Sequence, residues 1–153
     1  MNVENSMLVN EHEDRLPSLI YAADLIPWGF KIAKIDGVFQ DVAPGNFDIA
    51  DLRPRSYVSQ PGGCHVDGQE LRRLAVDWNA NRGLADGKRM IAEARQLSSL
   101  FQSHYIPLPG TLLHRPGGLV QIAYIYPRAG CYAVGLLTLD RYWFRDGRLA
   151  CLP

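Results

Sequence analysis

Cys64 and His65 are adjacent, and Cys64 stands just upstream of Asp67, where a helix is predicted to begin. Amide dipoles at a helix N-terminus favour the thiolate, the form of cysteine that attacks electrophiles. A thiolate nucleophile also needs a base within hydrogen-bond reach. The side chains of sequence neighbours usually diverge, so His114, which precedes a predicted strand, is the better-placed base. Cys64 and His114 together define one alternative for the chain, a thiol-dependent hydrolase. A different chemistry is written in RYWFRDGR (141–148), where Arg141, Arg145 and Arg148 interleave with Tyr142, Trp143 and Phe144. Aromatic rings can stack on bases while guanidinium groups hold phosphates. The same residue types also dominate the energetic centres of protein interfaces.

The order of a cysteine at a helix start, a helix and then strands is similar to that of the papain-like cell-wall peptidases. PGTLLHRPGGLVQIAYIY (109–126) resembles the glycine turn and strand around their histidine. That resemblance implies a nucleophile at Cys64. The sequence departs from the pattern at two points: the residues after Cys64 are not the small Ser-Gly kind, and Val120 or Gln121 falls where the histidine is expected. The chain is not assigned to that family.

Other site chemistries find less support. Cys64, His65, His104, His114, Cys131 and Cys151 supply ligand types for zinc, but no C-x2–4-C or H-x3–5-H pair occurs, and no metal site is expected. Glycine pairs at 62–63 and 117–118 do not form a GxGxxG or GxxxxGK[ST] loop, so no nucleotide cofactor is expected. Asp77 and Glu93 are single acids on polar helix faces, not a pair whose environments would separate two pKa values.

Charge supplies the strongest signal about partners. Residues 1–51 hold nine acids and three bases; residues 52–153 hold thirteen bases, twelve of them Arg, and seven acids. The net charge of zero is a cancellation between two regions, a pattern associated with charged partners. Arg binds carboxylate and phosphate in a planar, bidentate manner that Lys does not match. Arg53 and Arg55 in RPRSY (53–57) and the pair Arg72-Arg73 extend the basic region.

These residues need a scaffold. A chain of 153 residues, 47% hydrophobic and 21% charged, fits one globular domain rather than a disordered segment. No apolar run approaches the ~20 residues of a membrane helix. MNVENSMLVNEHEDRLP lacks the basic and apolar regions of a signal peptide. Three widely spaced cysteines do not make a secreted disulfide framework. These features point to a cytoplasmic location.

Residues 1–15 read as a mobile polar arm and 16–153 as a single α+β domain. SLIYAADLIP (18–27) is an apolar stretch ended by Pro27. Asp36-Gly37 predicts a hairpin within 29–44 that pairs Ile35 with Val38 and sets Phe39 beside Lys34. Residues 44–63, rich in proline and glycine, read as a long connection with at most one short strand. Asp67 and Glu70 predict a capping box. Leu71, Leu74, Ala75 and Trp78 follow as one helical face, and Gly83 is the expected C-terminal stop. A second helix is expected from Asp86 to Tyr105, with Met90, Ala94, Leu97, Phe101 and His104 inward, ended by Pro107 and Pro109. Strands are expected at 118–126 and at 131–139, the latter of buried type, with a turn at PRAG (127–130). A second hairpin around Asp146-Gly147 would face Phe144 with Leu149.

The predicted architecture is α+β: an N-terminal β-hairpin, two central helices and a C-terminal antiparallel β-meander, with helices packed on one sheet face. The function expected is that of a small binding or regulatory protein. It would engage a charged macromolecule, a protein in the first instance, through an acidic N-terminal region and an Arg/aromatic C-terminal hairpin. The contact residues expected are Arg53, Arg55, Arg141, Trp143, Arg145 and Arg148. Single-stranded nucleic acid is the alternative partner, and no membrane is expected.

Overall fold

The computed structural model describes residues 25–27, 29–58 and 63–153. The polar arm at 1–15, most of the 18–27 stretch, Trp28 and the acids Glu4, Glu11, Glu13, Asp14 and Asp24 lie outside the described residues.

The chain is mixed α+β and strand-rich, with two helices and antiparallel strands in a curled sheet. In chain order the elements are β1 (Lys31–Ile32), β2 (Lys34–Ile35), β3 (Val38–Phe39), β4 (Arg53–Arg55), β5 (His65–Asp67), α1 (Gly68–Asp77), α2 (Leu84–Ala92), β6 (Ile106–His114), β7 (Val120–Arg128), β8 (Cys131–Thr138), β9 (Tyr142–Phe144) and β10 (Leu149–Cys151). The main sheet has the order β1-β6-β7-β8; three two-stranded ladders, β2-β3, β4-β10 and β5-β9, complete the strands.

The hairpin at Asp36-Gly37 forms in the expected register, with Ile35 opposite Val38 and Lys34 opposite Phe39. Both central residues take positive φ, 50° and 78°, as a type I′ turn requires. Ala129 and Gly130 do the same between β7 and β8, so the turn expected across 127–130 narrows to two residues. Lys34 lies over the Phe39 ring, 4.4 Å from its centroid. The connection over 44–63 holds one strand, β4, and one 3-10 turn at Ile49–Asp51 among its described residues.

Helix α1 begins as its cap predicts. Asp67 accepts from the Glu70 amide at 2.9 Å. The reciprocal half of the capping box does not form: the Glu70 carboxylate turns to Arg73 (2.6 and 2.8 Å), which also reaches Asp77 at 2.7 Å. The Glu70 carboxylate accepts from the charged guanidinium in preference to the neutral Asp67 amide. The helix ends through Asn79 at φ 53°, and Gly83 instead precedes α2 as its N-cap, at extended φ.

The second helix is shorter than expected. It stops at Ala92, and 3-10 turns at Ala94–Gln96 and Ser99–Phe101 carry the chain onward. Ser98 caps the second turn by accepting from the Leu100 amide, a local bond that competes with helix. Leu97 and Phe101 still reach the core, while Ala94 and His104 are only partly buried. Pro107 and Pro109 do not end a helix; they lie inside β6.

Alternate positions of β7 feed two apolar clusters. Ala123 and Ile125 pack with Ile106, Leu108, Leu113, Met90 and Leu84. Ile122 packs with Leu112, Leu71, Ala75, Tyr57, Trp143 and Leu149. The helical layer is therefore divided, α2 joining the first cluster and α1 the second. At the Leu108–Leu112 irregularity of β6, Thr111 bridges to Asp41 and Gly110 exchanges backbone bonds with Val42 and Arg82.

Strand β8 is not the buried strand its apolar run suggests. It is an edge strand whose residues, from Tyr132 to Thr138, are all half-buried. The Asp146-Gly147 hairpin does not form as a ladder either. Strand β9 pairs with β5 and β10 with β4, so Leu149 faces Arg55 rather than Phe144. Gly147 bridges to Tyr105, and the Arg148 amide donates to the Tyr105 carbonyl, which holds the turn apart from a simple hairpin.

Candidate functional site

The β5-β9 ladder gathers most of the residues with chemistry. His65 pairs with Phe144, Val66 with Trp143 and Asp67 with Tyr142. Strand alternation sends Val66 and Trp143 inward and leaves His65, Asp67, Tyr142 and Phe144 on the outer face. Tyr142 is 55% and Phe144 53% exposed. The His65 ring lies 3.9 Å from Tyr142, at 35°, and 6.2 Å from Phe144, at 71°. The outcome is an exposed three-ring surface, continued in sequence by Arg141 and Arg145.

Buried tyrosines fix this surface from behind. The Tyr57 and Tyr105 hydroxyls are 2.5 Å apart and both reach the Phe144 carbonyl, Tyr105 at 2.9 Å, so two O–H protons serve three contacts. Burial raises the Tyr105 pKa to about 12, and burial followed by the Tyr105 hydrogen bond raises that of Tyr57 further. Both hydroxyls therefore stay protonated at neutral pH and serve as donors. The Arg145 amide bonds to the Cys64 carbonyl at 3.0 Å, tying the far end of the ladder to the thiol.

The predicted contact residues separate into distinct roles. Trp143 is fully buried among Tyr105 and Tyr124, so it belongs to the core rather than to a contact surface. The exposed aromatic groups on this strand are its neighbours Tyr142 and Phe144. Arg141 and Arg145 are exposed, and among the described residues their guanidinium groups engage no other side chain. Arg148 is half-buried and bonds back to the carbonyls of Arg145 (2.5 Å) and Gly147 (2.7 Å), which holds the turn closed. On β4, Arg53 bonds the carbonyls of Ala50 (2.6 Å) and Leu52 (3.0 Å). Arg55 stacks over Trp78 at 3.7 Å. Arg72 turns inward to Gln40 (2.9 Å) and Pro109, and burial lowers its pKa.

The thiol has a different neighbour from the one expected. Cys64 Sγ lies 3.2 Å from His65 Nδ1, both side chains exposed. His114 sits at the end of β6, paired with Lys31 and Val120, and bounds a separate cavity. The structure brings Cys64 to His65, not to His114. Neighbouring side chains diverge in a strand, but Cys64 lies in irregular backbone just before β5, where that alternation does not apply.

No group of three or more His, Cys, Asp or Glu side chains could hold a metal ion among the described residues. No described helix is long and apolar enough to cross a membrane. No protein-family model, no curated protein and no solved structure matches this chain.

Proposed function

We propose that the chain is a small cytoplasmic binding protein that engages a charged partner, a protein, through the outer face of the β5-β9 ladder. The observation that carries this reading is the exposure of Tyr142 and Phe144, flanked in sequence by exposed Arg141 and Arg145, whose guanidinium groups engage no other side chain among the described residues. Large aromatic side chains held in water by rigid strand geometry lose little entropy on binding and bury much apolar area. Adjacent Arg groups supply bidentate recognition of carboxylates. The acidic N-terminal region and the remaining Arg residues, Arg53, Arg55 and Arg148, act as flanking charge in this reading. Exposed free thiols at Cys64 and Cys131 suit a reducing compartment.

The test compares affinity capture by the native chain with capture by an Arg141→Glu/Arg145→Glu variant. Both changes lie on exposed side chains, so folding is retained. Loss of the captured partner is expected. Retention of every partner by the doubly reversed surface would remove the reading. Titration with labelled single-stranded nucleic acid distinguishes the alternative partner: log K would then fall linearly with log salt.

A second reading has its own observation, the 3.2 Å contact between Cys64 Sγ and His65 Nδ1. It makes Cys64 the nucleophile of a thiol-dependent reaction with His65, in place of His114, as base. Alkylation of Cys64 by iodoacetamide is expected to slow in His65→Ala and to keep its native rate in His114→Ala. Equal rates in all three proteins would dispose of the dyad.

A further inference from the structure

The edge of the main sheet at β1 carries a second candidate site, separate from the β5-β9 ladder. A cavity of about 630 Å³ opens there, lined by Ile26, Phe30, Ile32 and Phe39 with Lys31, Lys34 and His114. That volume falls within the range of small-molecule sites, roughly 300–1,000 Å³. Its composition is two-sided. Ile26, Phe30 and Phe39 pack against the first core cluster, and Ile32 belongs to it, so the apolar wall is rigid. The polar rim is entirely basic.

The placement of that rim follows from the strand register. Lys31 stands directly opposite His114 across β1-β6, two basic side chains on one face of a non-repeating edge. Lys34 is held over the near edge of the cavity by its contact with the Phe39 ring at 4.4 Å. Among the described residues no carboxylate forms an ion pair with Lys31 or Lys34, and no acid lines the cavity.

We infer that this cavity binds a small amphipathic carboxylate, an aliphatic or aryl acid, with its apolar part against Ile26, Phe30, Ile32 and Phe39 and its carboxylate among Lys31, Lys34 and His114. The apolar wall provides affinity and the three bases fix orientation, the usual division of labour in a ligand cavity. Lys ammonium groups act as mobile point charges here, which suits a carboxylate of variable pose rather than a strictly bidentate one.

The test uses decanoate, decanol and decyltrimethylammonium below their micelle concentrations, each titrated calorimetrically into the full chain. Saturable decanoate binding is expected, and about tenfold weaker binding of decanol, which keeps the tail and loses the charge. Lys31→Glu/Lys34→Glu is expected to weaken decanoate by a similar factor while far-UV circular dichroism stays unchanged. His114→Gln, at the end of β6, provides an independent rim variant with a smaller expected loss. Equal binding of all three probes, or decanoate binding indifferent to the Lys reversals, would overturn the assignment. So would saturation by an acidic apolar peptide with no response to decanoate, because the occupant would then be a macromolecular segment.

Discussion

Trp143→Ala lowers stability by about 3–5 kcal/mol, the cost of emptying a fully buried aromatic position. The indole fills the space between α1, through Leu71 and Ala75, and the Tyr105 and Tyr124 rings, whose centroids lie 6.1 and 6.0 Å away. Its loss leaves a void that neither the helix nor the sheet can close without moving the other. A typical domain has only about 5–15 kcal/mol of net stability, so the expected readout is a large drop in the thermal midpoint. Trp143→Phe costs less. The Trp143 Nε1 atom is buried without a hydrogen-bond partner among the described residues, so phenylalanine gives up no bond there. Partner binding per folded molecule of Trp143→Phe stays native. If binding fell while the thermal midpoint held, Trp143 would be a contact residue after all.

Asp86→Ala is expected to cost about 1–3 kcal/mol, the penalty of leaving a buried donor without its acceptor. Asp86 is buried and accepts from the Gly45 amide at 2.9 Å. Its charge also faces buried Arg82, whose guanidinium bonds the carbonyls of Asn79 and Ala150 and lies 4.6 Å from the Phe47 ring. Alanine strands an amide and leaves a cation in the interior without its counter-charge. Asp86→Asn keeps an acceptor for Gly45 and loses less. The pH dependence separates charge from shape. Burial holds the Asp86 pKa above the ordinary aspartate value, against the opposing pull of the Gly45 bond and of Arg82. The folded state therefore binds this proton more tightly than the unfolded state. The contribution is fully present below the unfolded pKa and is lost as pH rises through the folded one. Denaturant titrations across that window are expected to show a flatter profile for Asp86→Asn than for the native chain. An identical slope would mean that Asp86 titrates as it does in the unfolded chain.

What was legible in the sequence was local. Asp36-Gly37 announced its turn because few residue pairs accept positive φ at both centres. Asp67 announced a helix start, and the alternation of GLVQIAYIY announced β7. Strand β6 was hidden by Pro107 and Pro109, which read as breakers. The ladder shows why they are tolerated: β1 reaches only Leu113 and His114, so the proline segment runs as an edge on that side. The overlong second helix was read from the helical spacing of Met90, Ala94, Leu97, Phe101 and His104. Ser98 and the burial of Leu97 and Phe101 decide otherwise, and neither effect is periodic.

The candidate site was half legible for the same reason. RYWFRDGR showed that one aromatic set would turn inward, but the choice of Trp143 depends on β5, which lies 77 residues away by the Trp143↔Val66 pairing. Arg141 and Arg145 could be named from sequence as available cations. The retention of Arg53, Arg55 and Arg148 by carbonyls and by Trp78 could not, since it arises from loop and ladder geometry.

Strand β8 has a consequence for how copies of the chain meet. From Cys131 to Leu139 it contains no charge and no proline, the usual guards of a sheet margin. The Leu139 amide bonds Val120, so odd-numbered positions face β7, and Tyr132, Val134 and Leu136 turn their peptide groups toward solvent. Such a row is a template for whatever extended chain arrives. A net charge of zero offers no long-range repulsion to delay that arrival. Association between copies along this margin is the expected consequence, and a single lysine there would act as a gatekeeper.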